Sequence, residues 1–144
     1  MKGYAMKKPI TRIVYHFQDA SVPPQYHRSY TITVTREHAH IIVDSYGDIL
    51  AEESIDIAEQ VIDDLARDIE IYQIKRQKRK SDTMEYTGGT SKSLTVYSEG
   101  ILVLDGTVYD YRGRFEGSLS GNIDAFTQKI EDLIPNFADL TKRF

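Results

Sequence analysis

Cysteine and tryptophan are both missing from this chain of 144 residues. The absence of cysteine excludes disulfides, thiolate metal ligands and cysteine nucleophiles. Long apolar runs are missing too, since no window is apolar for the length needed to cross a bilayer. Basic residues near the N-terminus are not followed by the apolar segment of a signal peptide. We therefore expect a cytoplasmic protein that makes no contact with a membrane.

An excess of positive charge is another feature that the chain lacks. Its formal net charge is -4, whereas a protein with general affinity for nucleic acid usually carries a basic excess. The hydrophobic fraction of 40% and the charged fraction of 28% are ordinary for a soluble globular protein. The length fits a single domain over 1–144. We expect a disordered arm at 1–9 and a C-terminal tail at 136–144.

The most informative segment covers residues 28–44, where polar and apolar side chains alternate, turn near Arg36 and Glu37, and alternate again. Alternation with a period of two is typical of a strand with one face on the core and the other in water. A shorter segment at 11–18 has the same pattern. We therefore predict a first strand followed by a hairpin, whose inward side chains are Tyr30, Ile32, Val34, Ala39, Ile41 and Val43.

The segments on either side of the hairpin predict a loop and a helix. Residues 18–27 contain two consecutive prolines, which cannot continue a central strand. A helix is predicted from about Ser54 or Asp56 to Gln73, because apolar residues there recur three or four positions apart. Residues 75–90 are basic and rich in glycine, and they predict an exposed loop.

The rest of the chain predicts a meander of strands and a second helix. Asp105-Gly106 gives the strongest short hairpin signal of the meander. The second helix begins at about Asn122, a good N-cap residue, and ends at Pro135. Because the links between strands are short, we predict a two-layer α+β domain of order βββ-α-βββ-α. It has a largely antiparallel sheet of about six to seven strands, with two amphipathic helices packed on one face.

Two histidines of the hairpin, His38 and His40, share one face of a strand with Asp44. Imidazole and carboxylate groups bind zinc, so a metal-assisted enzyme that uses these three residues is one candidate function. A metal site needs three or four converging ligands, and the spacing implies only the histidine pair. Neither a Gly-x-Ser-x-Gly elbow nor a His-Glu-x-x-His motif accompanies them. Catalysis is therefore disfavoured, and no cofactor is predicted.

A dense basic run lies within residues 75–80 and consists of Lys75, Arg76, Lys78, Arg79 and Lys80. Such a run can bind phosphate groups, which makes a nucleic-acid accessory factor a further candidate. The run contains no aromatic side chain that would stack on a base. A solvated segment is the simpler interpretation, so nucleic acid is disfavoured as a partner.

The remaining features favour a non-catalytic protein-binding module of a regulatory, inhibitory or immunity type. Threonines line the outward face of the second strand, and the open edges of an antiparallel sheet can pair with another chain. The loop before the hairpin presents two prolines beside a tyrosine, which form a rigid amphipathic surface. We expect another protein, or a second copy in a homodimer, to contact Thr31, Thr33, Thr35, Pro23, Pro24 and Tyr26.

Overall fold

The computed structural model of the protein describes residues 8–77, 89–111 and 114–142. Within these ranges the strands are β1 (Arg12–Gln18), β2 (Ser29–Thr35), β3 (His38–Ser45), β4 (Asp48–Asp56), β5 (Lys75–Arg76), β6 (Thr90–Ser98), β7 (Ile101–Tyr111), β8 (Arg114–Gly117) and β9 (Leu119–Ser120). The helices are α1 (Gln60–Ile71), α2 (Ile123–Glu131) and the short α3 (Phe137–Leu140).

Seven strands form one antiparallel sheet in the order β4-β3-β2-β1-β6-β7-β8. The two remaining strands, β5 and β9, pair with each other. Helices α1 and α2 bury their apolar stripes against one face of the large sheet. The prediction of an α+β domain with a largely antiparallel sheet is thereby confirmed.

The core lies between the sheet and the helices, and strand alternation supplies most of it. In β2, Ile32 and Val34 are fully buried while Thr31 and Thr33 lie on the opposite face, half-buried. The inward residues predicted for the hairpin are all buried, as predicted. The helices complete the core with a second set of buried side chains, namely Ile62, Leu65, Ile123, Phe126 and Ile130.

The second helix begins as its sequence predicts. The side chain of Asn122 accepts a hydrogen bond from the backbone N–H of Ala125 at 3.1 Å, which satisfies one of the free donors of the first turn. The tail that follows is docked over its described residues, because Phe137 and Leu140 of α3 pack against the core.

Strand β4 is an element that the sequence prediction missed, since the predicted helix began inside it. The backbone turns back at Tyr46 and Gly47, whose φ angles are 49° and 92°. Positive φ at both positions is what a two-residue hairpin turn of type I′ requires. Residues 48–56 therefore pair with β3, and α1 begins only at Gln60.

The hairpin predicted at Asp105-Gly106 is wrong, because β7 runs without interruption through both residues. Gly106 is needed for close packing instead. A Cβ atom there would lie 2.6 Å from the side chain of Leu119, so only glycine lets β9 approach β7 so closely.

The loop predicted for residues 75–90 is replaced at both ends by strand structure. Lys75 and Arg76 form β5, which pairs with Ser120 and Leu119 of β9, and Thr90 begins β6. The interior of that segment, at 78–88, lies outside the described residues, as do residues 1–7 of the arm predicted at 1–9.

Candidate functional site

Strand β4 forms one edge of the large sheet and has no further neighbour in the described part of the chain. It is nine residues long, whereas β8 at the opposite edge has four. In an antiparallel sheet every second residue of an edge strand directs its N–H and C=O groups away from the sheet. Strand β4 therefore offers a long row of backbone donors and acceptors to another chain.

The side chains of β4 make this edge acidic. Its sequence contains four carboxylates and no basic residue. Pairing with β3 places Glu52 and Asp56 on the outer face of the sheet, opposite Ile42 and His38. Ala51, Glu53 and Ile55 face the helices and remain partly exposed at the uncovered edge. The edge thus combines an outer row of negative charge with a partly apolar inner row.

Each histidine of β3 has a separate carboxylate partner on β4. His38 Nε2 lies 3.2 Å from Asp56, and His40 Nε2 lies 2.7 Å from Glu52. Asp44 lies further along the strand and accepts a hydrogen bond from the backbone N–H of Gly47 at 2.9 Å. Four residues of strand span about 13 Å, so His40 and Asp44 do not converge on one ion.

No metal site is found elsewhere among the described residues either, because no three His, Asp or Glu side chains there are grouped to hold an ion. The residues named for a metal-assisted enzyme, His38, His40 and Asp44, are therefore spread along one strand instead of being brought together as a ligand set.

The β3–β4 turn carries exposed apolar side chains next to the acidic edge. Tyr46, Ile49 and Leu50 are 53%, 62% and 48% exposed. Large apolar side chains clustered at one end of an exposed edge are typical of a contact surface.

The proline-containing loop is held against this turn by hydrogen bonds to its backbone carbonyls. The Ser45 hydroxyl donates to Pro24 O at 2.6 Å, and the Tyr46 hydroxyl donates to Val22 O at 2.6 Å. The rings of Tyr46 and His27 also stack, with centroids 3.8 Å apart. The predicted contact residues Pro23, Pro24 and Tyr26 are exposed on this braced loop.

Beneath the loop, His27 and Ser29 are both buried and in contact. A serine beside a histidine can act as a nucleophile and its general base. The backbone N–H of Tyr46 donates to His27 Nδ1 at 3.3 Å, so Nδ1 carries no proton. In the neutral ring the proton is then on Nε2, which lies 3.4 Å from Ser29 Oγ. A protonated nitrogen cannot take the hydroxyl proton, so this pair braces the loop and is not a catalytic dyad.

The predicted threonine row lies in the interior of the sheet and not at its edge, because β2 is flanked by β1 and β3. The Thr31 hydroxyl is within 2.8 Å of His16 Nδ1 on β1. The Thr35 hydroxyl accepts a hydrogen bond from the N–H of His38 in the β2–β3 turn. Thr31, Thr33 and Thr35 are all half-buried, and two of them are engaged in bonds within the protein.

Only part of the predicted basic cluster can be placed. Lys75 and Arg76 are exposed on β5, and Arg76 forms an ion pair with Asp105 at 2.6 Å. Lys78, Arg79 and Lys80 lie outside the described residues. Both placed cations line the apolar groove at the end of the sheet where β6 turns into β7.

At the end of the sheet where β6 turns into β7, α1 and β7 enclose an apolar groove of about 900 Å³. Charged side chains stand at its rim, among them Lys75 and Asp63. None of His38, His40 and Asp44 reaches it. Its lining is mainly aliphatic and includes Ile10, Ala66, Ile69, Ile74, Val103 and Leu104. The groove has the size of a small-molecule pocket.

Two buried tyrosines share one carboxylate where α2 packs on the sheet. The hydroxyls of Tyr15 and Tyr30 donate to the same oxygen of Glu131, at 3.0 and 2.6 Å. Burial raises the pKa of both tyrosine hydroxyls far above their usual range, and the nearby negative charge of Glu131 raises each pKa further. These bonds fix α2 to β1 and β2.

No protein-family model, curated protein or solved structure matches this chain. Within the described residues, no helix is both long and apolar enough to cross a membrane.

Proposed function

We propose that this protein is a non-catalytic protein-binding module of a regulatory, inhibitory or immunity type, and that its partner adds a strand to β4. The observation that carries the proposal is the nine-residue edge strand with no neighbour among the described residues. Strand addition is a common mode of peptide recognition, in which backbone hydrogen bonds supply affinity and flanking side chains supply specificity.

The turn and loop beside β4 support this proposal with a second contact area. Ile49 and Leu50 offer apolar surface at the start of the strand. The loop with Pro23 and Pro24 is already held in place by Ser45 and Tyr46. A braced loop loses little conformational freedom when a partner binds, so its contacts retain more of their binding energy.

A direct test uses a neutral extended peptide with alternating threonine and valine, added to the isotopically labelled protein. We expect backbone amide resonances of 48–56 to shift, with smaller effects on α1 and α2. N-methylation of alternate peptide nitrogens removes donors that strand pairing needs, and it should abolish the shifts. Shifts confined to the helices, or shifts that survive N-methylation, would contradict strand addition.

The apolar groove favours a second candidate function, the binding of a small apolar molecule with an anionic group. Lys75 stands at the rim and has no ionic partner in the described ranges. The fluorescent probe 1-anilinonaphthalene-8-sulfonate has this chemistry, and its emission should rise in the groove. Ala66→Trp fills the groove and should remove the rise, whereas Ala138→Trp on exposed α3 should not. Equal emission from both variants would rule out the groove as the binding site of the probe.

A further inference from the structure

The acidic edge of β4 identifies the kind of chain that can add to it. We propose that the partner segment is an extended basic peptide with cations at every second position, and that a second copy of this chain is excluded. This inference rests on the strand addition proposed above. It adds the chemistry of the partner.

Self-pairing of β4 would bring like charges together. In an antiparallel pair of β4 strands centred on Glu52, the Glu52 side chain of one copy lies directly opposite Glu52 of the other on the outer face of the sheet. Like charges directly opposite each other destabilise a sheet. Charged edges are a usual protection against self-association, and this pattern protects against copies of the same strand.

The same carboxylates attract a strand of opposite charge. On the outer face, Glu52 and Asp56 each have one oxygen in contact with a histidine of β3. No contact of the second oxygen is found among the described residues, so it can accept an incoming cation. A lysine or arginine on the added strand would lie directly beside one of these carboxylates, at the spacing of a cross-strand pair.

The inner face of β4 determines which side chains should alternate with the cations of the partner. Ala51 and Ile55 face the helices and are only partly covered. Apolar side chains on the added strand would cover them, because successive residues of a strand point to opposite faces. A partner that alternates cations with apolar residues therefore fits both rows of β4 at once.

Three acetylated peptides of about ten residues, matched in length to the nine residues of β4, test the inference. They alternate valine with lysine, with threonine or with glutamate. We expect the lysine peptide to shift the amide resonances of 48–56 and to bind at least about tenfold more tightly than the threonine peptide. The glutamate peptide should not bind at all. Added salt should weaken the lysine peptide most, because exposed charges are screened.

A charge-matched pair of variants separates local attraction from net charge. Asp48→Asn, Glu52→Gln and Asp56→Asn together should weaken lysine-peptide binding about tenfold. The control combines Glu59→Gln, Asp132→Asn and Asp139→Asn, three exposed acids outside β4. It changes the net charge by the same amount, and it should leave binding unchanged.

The possible failures are distinguishable. Equal binding of the threonine and lysine peptides at β4 would overturn the basic partner and leave strand addition standing. Binding of the lysine peptide that survives N-methylation would overturn strand addition as well, as would the failure of all three peptides to shift β4. A dimer in light scattering that the triple β4 variant disrupts would overturn the exclusion of a second copy.

Discussion

The two tyrosines that share Glu131 make the stability of the fold sensitive to alkaline pH. The unfolded chain ionises tyrosine with a pKa near 10.0, whereas burial raises the folded-state pKa of Tyr15 and Tyr30 far above that value. A group whose pKa is raised on folding contributes stability that is complete below the unfolded pKa and lost as the pH rises above it. The unfolded chain then releases protons that the folded protein keeps.

The size of the alkaline loss of stability follows from this difference in bound protons between the folded and the unfolded state. At about pH 11 the unfolded state gains about 1.4 kcal/mol from ionising each tyrosine. The folded protein gains nothing comparable, because both hydroxyls stay protonated in the core. For Tyr15 and Tyr30 together we expect the free energy of unfolding to fall by about 2.8 kcal/mol between about pH 8 and pH 11.

Urea unfolding followed by far-UV circular dichroism at several pH values measures this loss. Tyr15→Phe and Tyr30→Phe each lower stability at neutral pH, since a hydrogen bond to a charged group contributes about 1.5–3 kcal/mol. The informative quantity is the slope of the free energy of unfolding against pH. Each substitution should remove about half of the alkaline loss, and the double variant should remove nearly all of it.

The variant Tyr26→Phe serves as the matched control, since it removes the hydroxyl of an exposed tyrosine. It should keep the full alkaline loss. An alkaline loss of the same size in the double variant and in the unmodified protein would refute the reasoning, because the buried hydroxyls would then not be its source.

Three further predictions concern glycine, capping and core packing. Gly121→Ala should cost about 3 kcal/mol or more in urea unfolding, because φ is +96° and the added Cβ would lie 2.4 Å from Gln73 O. Gly47→Ala has similar φ but open space, and should cost only about 1 kcal/mol. Asn122→Ala removes the cap of α2 and should cost about 1 kcal/mol, whereas Asn122→Asp should cost little. Phe126→Ala empties a fully buried position and should lower stability by about 3–5 kcal/mol, and a loss under about 1 kcal/mol would contradict its place in the core.

Much of the fold could be predicted from the sequence because alternation and helical spacing are local signals. The burial of Ile32 and Val34 and the cap at Asn122 both follow from neighbouring residues alone. The role of Gly106 could not be predicted in this way. It depends on contact with Leu119, which lies on a different strand, β9, outside the local pattern around Gly106.

The candidate site was predicted only in part, and the reason lies in β4. Pro23, Pro24 and Tyr26 were expected to be exposed because consecutive prolines cannot join a central strand. The acidic edge escaped prediction because Ser54 and Asp56 suit the N-cap of a helix as well as the end of an edge strand. The turn at Tyr46 and Gly47 shows in the sequence, but a turn ends β3 whether a strand or a helix follows, so the pairing of residues 48–56 with β3 could not be predicted from it.

Strand β4 has hydrogen-bonding neighbours on one side only among the described residues, which gives it fewer anchors than any interior strand. Strands at such a position open more readily than the rest of a fold. A peptide that pairs with β4 would hold this strand in place. The apparent melting temperature should therefore rise with the concentration of the peptide. The melting temperature would then report how much of the protein has a peptide bound, and β4 would be more open to proteolysis in the free protein than in the complex.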